Sequence, residues 1–365
     1  MDVVVPQLSG RIVDATIVRQ PIPLRRPLRG ARGPVTSRAV RLLHLTAEDG
    51  CEGIGEGSSV DWLAAAPAPD VASTFRLLVE RIRRDGLAEA DLLEWSLEAA
   101  APGAVRAAVQ TALLDLEARR RGCSLAAVLG AADPCLPQSM SALLVDDDPA
   151  AMARAAAWHA RRGIACFKVK VGGRDLAAEV ARVTAVRNSI GDAAGLRLDA
   201  NGAWSLDDAR RALDAFEPVR AAFVEEPLSD ATQTAQLDLP RRIALDESVR
   251  DMKDLRLAIA RGGFRVLVLK LERVGGPLAA LEMAAAATRA GLEVVFTDSI
   301  EGAVGRAATA HVAAAAYERA GVPPSAVGLG GLFLLDEGED AAGEIPVYGP
   351  GLGLEIDAVV GGAPS

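Results

Sequence analysis

Residues 166–227, CFKVKVGGRDLAAEVARVTAVRNSIGDAAGLRLDANGAWSLDDARRALDAFEPVRAAFVEEP, alternate short β-type runs with helical ones. CFKVKV reads as a strand, DLAAEVARVTAVRNSI as a helix, and LRLDA as a second strand. SLDDARRALDAF is a helix with Ser205 as its N-cap, and AFVEEP is a third strand. The plan extends both ways. Upstream, from about Ser139, SMSALLV precedes a helix through AMARAAAWHARRG. Downstream come RIALDE with DMKDLRLAIARGG, and RVLVLK with PLAALEMAAAATRAG, where Pro277 takes the first helical position. EVVFTD with GAVGRAATAHVAAAAYERAG follows, and AVGLGGLFLL closes the series. Eight β-runs, nearly all separated by a helix, imply a parallel sheet, and eight units are what a TIM barrel needs. A doubly wound open sheet is the alternative, but no GxGxxG opens any of these helices.

The N-terminal third has a different texture. GRIVDATIVRQ and SRAVRLLHLTAEDGCEGIGEG, within residues 10–57, read as strands with turns, and residues 73–130 read as helical. This is an α+β unit ahead of the barrel. The tail IPVYGPGLGLEID reads as a strand and a Gly/Pro turn that returns to it.

Composition bounds the function classes. The 365 residues are half hydrophobic and carry a net charge of −9, with the acids scattered rather than run together, so neither nucleic acid nor an anionic membrane is expected as a partner. Cys51, Cys123, Cys135 and Cys166 show no CxxC spacing and read as buried, reduced thiols. MDVVVPQLSGRIV lacks the basic and apolar regions of a signal peptide, and charges interrupt every Ala-rich stretch. A soluble cytoplasmic protein acting on a small molecule is expected, with homo-oligomerisation left open.

The chemistry-bearing residues fall at strand ends, where TIM-barrel active sites are built. The second barrel strand carries Lys168 and Lys170, the third ends in Asp199, and the fourth in Glu225 and Glu226. The fifth ends in Asp246 and Glu247, and the sixth in Lys270. Lys168 and Lys170 are two apart and point to one face, while Phe167, Val169 and Val171 point to the other. The apolar set suits the helix side, which sends both lysines into the barrel. Asp199, Glu225 and Asp246 are hard oxygen donors from adjacent strands and suit Mg²⁺. Lys270 faces the two lysines across the barrel mouth. A carbon acid beside a carboxylate needs its enolate stabilised, and a lysine base needs its pKa lowered by positive neighbours. Taken singly, KVK also fits a solvated strand edge, EEP or DES a loop or cap, and a strand-end Lys a Schiff-base nucleophile. The joint order and placement are what separate the first reading from these.

FKVKVG, RLDANGAW, FVEEPL, ALDES and VLKLERVGG together resemble the enolase superfamily, in its muconate-lactonizing-enzyme subgroup. GIGEG, FTDSIEGAVGRAATAHVAAA and GPGLGLEID are similar to the same subgroup, so the likeness spans nearly the whole chain. It implies a (β/α)7β barrel over 136–339 with an α+β capping domain over 1–135, completed by residues 340–365. By the same resemblance Asp199, Glu225 and Asp246 hold Mg²⁺, with Mn²⁺ as the alternative. Lys170 is the acid/base on one face of the substrate, Lys270 stands on the opposite face, and Lys168 supports Lys170 and the enolate. That a lysine or histidine base works with Mg²⁺ in such sites is a general property of the superfamily.

Substrate is narrowed rather than fixed by the resemblance. The subgroup includes o-succinylbenzoate synthases, muconate cycloisomerases, dipeptide epimerases and N-succinylamino acid racemases. Dipeptide epimerases share a D-x-D after the seventh strand, where this chain reads Asp298-Ser299-Ile300, which counts against that activity. VGLGGLFLLD resembles o-succinylbenzoate synthases of menaquinone synthesis, in which proton removal is followed by syn elimination of water. Asn201, Asp298, Ser299 and Glu301 are candidate substrate contacts, and Arg29 and Arg32 are candidates for a second substrate carboxylate.

Overall fold

A computed structural model describes residues 6–30, 33–58, 70–98, 100–132, 137–237, 242–335 and 343–361; the side chains of residues 26–30 and 33–35 lie outside that description. The N-terminal unit opens with β1 (Arg11–Gly30), β2 (Gly33–Ala47) and β3 (Glu52–Gly57). With the two-residue β4 (Leu87–Ala88) they form an antiparallel sheet in the order β3-β2-β1-β4. β4 pairs only with Arg11 and Ile12, and the next bridge on that side is Leu24 to Leu335, so β1 between them is an edge. That is where Pro21 and Pro23 lie, opposite Ala39 and Ser37. An edge position has no outward ladder bond for proline to remove, so the strand runs ten residues past the Gln20 expected from the sequence.

Helices α1 (Val71–Asp85), α2 (Glu89–Leu97), α3 (Gly103–Arg121) and α4 (Leu125–Val128) complete this unit. The GIGEG motif explains how α3 seats on the sheet. Gly53, Gly55 and Gly57 share one face of β3, and α3 crosses that face at Ala112, Ala108 and Ala104. A Cβ on Gly55 would lie 1.9 Å from the Ala108 carbonyl oxygen, so no larger residue fits. Glu56, between the glycines, points the other way and reaches the barrel.

After β5 (Gln138–Ser139) the barrel strands are β6 (Ser141–Leu144), β7 (Cys166–Lys170), β8 (Gly195–Asp199) and β9 (Phe223–Glu225). β10 (Ile243–Leu245), β11 (Val266–Lys270) and β12 (Glu293–Thr297) follow, and all seven lie parallel and in chain order. Outside them run α5 (Pro149–Arg161), α6 (Leu176–Ile190), α7 (Leu206–Ala215) and α8 (Met252–Arg261). α9 (Leu271–Val274), α10 (Pro277–Arg289) and α11 (Ala303–Ala320) complete the layer. A 3-10 segment, Ala231–Leu237, replaces the helix between β9 and β10.

The eighth strand differs from expectation. AVGLGGLFLL contributes only two parallel bridges, Val327 to Met140 and Gly328 to Thr297, before turning into a 3-10 helix at Gly330–Leu334. Those bridges close the ring between β12 and the start of β6. The closure is too tight for side chains: a Cβ on Gly330 would lie 2.2 Å from the Ser141 carbonyl oxygen.

The tail returns to the N-terminal unit. β13 (Glu344–Ile345) pairs with β5, Gly351 exchanges backbone bonds with Cys123 and Leu125, and Leu352 N–H donates to Asp115 on α3. α12 (Ile356–Gly361) ends the described chain. Cys51, Cys123 and Cys166 are only half-buried, a correction to the reading of all four as buried; Cys135 lies outside the described residues. No helix among the described residues is long and apolar enough to cross a membrane.

Candidate active site

β7 shows the alternation that the sequence implies. Phe167 and Val169 are fully buried toward the helices, and Cys166, Lys168 and Lys170 take the other face. In register beside Lys170 is Asp199, and beside Asp199 is Glu225; Asp246 follows directly on β10. Lys270 ends β11, which is separated from β7 by three strands and so lies across the barrel.

The charges are closely engaged. Lys168 Nζ lies 2.8 Å from Asp199 Oδ2 and 2.7 Å from each oxygen of Glu225. Lys170 Nζ donates to Asp199 Oδ2 at 2.9 Å and to Asn201 Oδ1 at 2.5 Å. Lys270 Nζ meets Asp246 Oδ2 at 2.5 Å. The carboxylate side chains are 1–2% exposed, Lys270 9%, Lys168 14% and Lys170 43%, so Lys170 is the amine most open to an incoming molecule.

Burial pushes the Glu225 carboxyl up to about 8, helped by the charge of Asp199. Burial works the same way on Asp199, but Lys168 and Lys170 overcome it and hold that acid far below the usual carboxylate range. Asp246 is held at about 2, because Lys270 and Arg273 outweigh its burial. Burial alone would push the Lys168 ammonium down; Asp199, Glu225 and Asp246 outweigh it and hold it well above the ordinary lysine value. The lowering expected from positive neighbours is therefore not what Lys168 shows, because three acids face it.

These acids suit a divalent cation by their chemistry. They are hard oxygen donors, side by side and buried, and Glu225 is pushed up first by its burial and then by the charges of Asp199 and Asp246. Among the described residues no three acid, His or Cys side chains stand as a ready-assembled coordination group. The ammonium groups of Lys168 and Lys270 lie on the carboxylates instead, so a metal would compete with them for the same oxygens.

The loops after the strands hold this arrangement. Asn201 is left-handed at φ 45°, its N–H donates to Asp199 Oδ1 at 3.0 Å, and its amide donates to Glu247 at 2.8 Å. Two residues take a positioning role that the sequence reading did not give them. Glu226, also left-handed, accepts from the Asp246 N–H at 2.7 Å and from Ser248 Oγ at 3.1 Å, fixing the loop that carries Asp246. Arg273 Nη1 meets the second oxygen of Asp246 at 2.5 Å. It lies one helical turn beyond Lys270, a spacing visible in KLER.

The remaining candidates lie in a neighbouring buried group. Asp298 Oδ2 accepts from the Glu301 N–H at 3.1 Å, and the Glu301 carbonyl accepts from Arg306. Asp298, Ser299 and Glu301 are 8%, 7% and 1% exposed. Glu56 joins them from the N-terminal unit, accepting from Gly302 and Gly305 at the start of α11. Glu272 reaches back to the Ser58 N–H at 2.6 Å. The Arg29 side chain and all of Arg32 lie outside the described residues.

Comparison with known proteins agrees with this architecture. Residues 150–360 match the family model described as enolase C-terminal domain-like, and residues 12–130 match the mandelate racemase / muconate lactonizing enzyme N-terminal domain. Muconate cycloisomerase 1 of Pseudomonas putida is 26% identical over 319 residues, 82% of each chain. The o-succinylbenzoate synthase of Thermobifida fusca is 37% identical over 197 residues, 52% of this chain and 59% of that one. The crystal structure of the dipeptide epimerase from Enterococcus faecalis V583, complexed with Mg and the dipeptide L-Leu-L-Tyr, superposes with a TM-score of 0.82 at 25% identity, covering 92% of this chain and 97% of that one. The chain belongs to the enolase superfamily, in its muconate-lactonizing-enzyme subgroup, and is a metal-dependent lyase or isomerase of that superfamily.

Proposed function

We propose that this enzyme removes a proton from the carbon next to a substrate carboxylate and then eliminates water from the same face, the reaction type of o-succinylbenzoate synthases. The observation that carries the reading is the set of three buried carboxylates with Lys168 and Lys170 on one side and Lys270 across the barrel. Asp199, Glu225 and Asp246 would hold Mg²⁺ or Mn²⁺. When bound, the cation supplies the positive charge that makes an α-proton acidic enough for an amine to take.

Lys170 Nζ takes the proton, and Asn201 fixes where that nitrogen stands. Lys168 adds positive charge beside it, and Lys270 does so from the opposite face. The electrons of the broken C–H bond form the enediolate, whose collapse expels hydroxide from the neighbouring carbon. Lys170 returns its proton to that hydroxide, so water leaves from the face on which the proton was lost.

Two observations favour elimination over dipeptide epimerisation. Position 300 is Ile, 8% exposed, where a D-x-D would need its second acid, and Asp298 already binds the Glu301 N–H.

The test is a side-by-side assay with the o-succinylbenzoate precursor, cis,cis-muconate and N-succinylamino acids, with and without Mg²⁺. The precursor should be turned over, and Lys170→Ala and Lys270→Ala should each lower kcat by about a thousandfold or more. Unchanged activity in either variant overturns the mechanism. Turnover of one of the other substrates instead moves the assignment within the subgroup. Metal-independent activity with borohydride trapping would favour a Schiff-base lysine.

A further inference from the structure

The side-chain amide of Asn201 bridges two charged groups. Its Oδ1 accepts from Lys170 Nζ at 2.5 Å, and its Nδ2 donates to Glu247 Oε1 at 2.8 Å. An ammonium can only donate and a carboxylate can only accept, so the two partners together fix which end of the amide faces which. With Glu247 in place the amide oxygen looks at Lys170. Without it, the amide is free to turn its NH2 toward the amine. The loops involved form one frame. Backbone bonds from Ala200 to Glu225 at 3.0 Å and from Gly202 to Glu226 at 2.6 Å tie the loop of Asn201 to the end of β9. Glu226 Oε2 then accepts from the N–H groups on either side of Glu247, those of Asp246 at 2.7 Å and Ser248 at 3.4 Å.

Glu247 does little else for the fold. Its Oε2 is buried and meets no hydrogen-bond donor among the described residues, an arrangement that costs stability. Its charge reaches Arg273, but after that of Asp246. Lys170, by contrast, depends on the bridge. Its other acceptor, Asp199 Oδ2, is shared with Lys168 at 2.8 Å and belongs to a proposed metal ligand. An amine with two N–H groups held by Asp199 and Asn201 has one tetrahedral position left, which is the lone pair when the amine is neutral. The Lys170 side chain is 43% exposed, so that position is the one left for an incoming molecule.

We infer that Glu247 is a positioning residue for the reaction: through Asn201 it holds the Lys170 amine with its free position toward the substrate. The inference rests on Lys170 being the base, as proposed above. Glu247 acts by geometry rather than by charge, because what Asn201 needs at position 247 is an acceptor at that reach.

Kinetics with the full chain, Mg²⁺ and the o-succinylbenzoate precursor, or the one of the other candidate substrates that is turned over, separate geometry from charge. Glu247→Ala should lower kcat about tenfold to a hundredfold with KM within about threefold of wild type. Glu247→Gln keeps an acceptor at the same reach and should stay within about fivefold of wild type. Glu247→Asp keeps the charge but is one methylene short, and should fall nearly as far as Glu247→Ala. The reverse order, with Gln impaired and Asp intact, would assign the effect to charge on Arg273 and Asp246 and overturn the inference. The double variant Asn201→Ala/Glu247→Ala should be no slower than Asn201→Ala, and losses that multiply also overturn it. A second measurement needs no substrate. Asn188 and Asn201 are the only asparagines of the chain, so ¹⁵N-asparagine labelling gives one reference and one reporting pair of side-chain amide signals. The Asn201 pair, identified by its absence from Asn201→Asp, should move toward free-amide positions in Glu247→Ala and stay near wild type in Glu247→Gln. The two ways of failing are distinct. Full activity in Lys170→Ala, with the amide signals still moving, overturns the base assignment; unmoved signals in Glu247→Ala, with Lys170→Ala inactive, overturn the role of Glu247 alone.

Discussion

Replacing Glu272 by Gln should make stability less sensitive to pH between about 4.5 and 8. Glu272 is buried where the N-terminal unit meets the barrel, and its carboxyl is pushed from 4.5 up to about 8, first by burial and then by Glu56 and Asp298, with Arg38 opposing. Glu301 faces the same group, and the Arg306 guanidinium stands next to it. Below about 4.5 folded and unfolded chains both hold the Glu272 proton. As pH rises, the unfolded chain releases it and the folded chain keeps it. The stability contributed by this group is therefore complete below its unfolded value and lost as pH climbs through about 8. One proton held only by the folded state gives a slope of about −1.4 kcal/mol per pH unit.

Over the whole interval that amounts to about 5 kcal/mol for an isolated group. Glu56, Asp298 and Glu301 compete for the same protons, so the share removed with Glu272 alone is about 1–3 kcal/mol. The Gln carbonyl can still accept from the Ser58 N–H, which keeps the 2.6 Å bond that joins the two units. Urea unfolding at pH 5, 6, 7 and 8, followed by tryptophan fluorescence, is the measurement. Wild type and Glu272→Gln should match within about 1 kcal/mol at pH 5, and the variant should be the more stable at pH 8. Parallel pH profiles would refute the reasoning.

Three further outcomes follow from the geometry. Gly330→Ala should lose about 1–3 kcal/mol and melt at a lower temperature, because its Cβ would meet the Ser141 carbonyl at 2.2 Å; an unchanged Tm would show that the closure has room to spare. Lys168→Met removes an ammonium from buried, ionised Asp199 and should cost about 3–5 kcal/mol in chemical denaturation. Adding Asp199→Asn should recover much of that stability but no turnover, and a double variant no more stable than the single one would contradict the pairing. Glu226→Ala should lower kcat at least about tenfold and weaken Mg²⁺ binding in calorimetry, since Asp246 and Ser248 lose their shared acceptor; normal values for both would remove Glu226 from the positioning of Asp246.

What could be read in the sequence was whatever a strand's period of two and the chain order express. The alternation of Phe167, Lys168, Val169 and Lys170 sets their faces without tertiary information, and strands in chain order bring Asp199, Glu225 and Asp246 side by side once the sheet is parallel. Contacts between distant segments of no periodic kind stayed hidden. Nothing near Glu56 indicates that it reaches Gly302 and Gly305, 246 and 249 residues away, and nothing in α5 indicates that the His159 ring packs against Phe333. The eighth strand fails for a related reason: AVGLGGLFLL has the composition of a strand, but its glycines are there to admit backbone from β6, and this shortens the strand to two bridges. The two kinds of information divide along function. The residues proposed to handle the proton sit at strand ends, where position along the chain dictates position in space. Contacts such as Glu56 with the start of α11 arise where segments far apart in the chain meet, so a sequence that places the strand-end residues leaves what surrounds them unread.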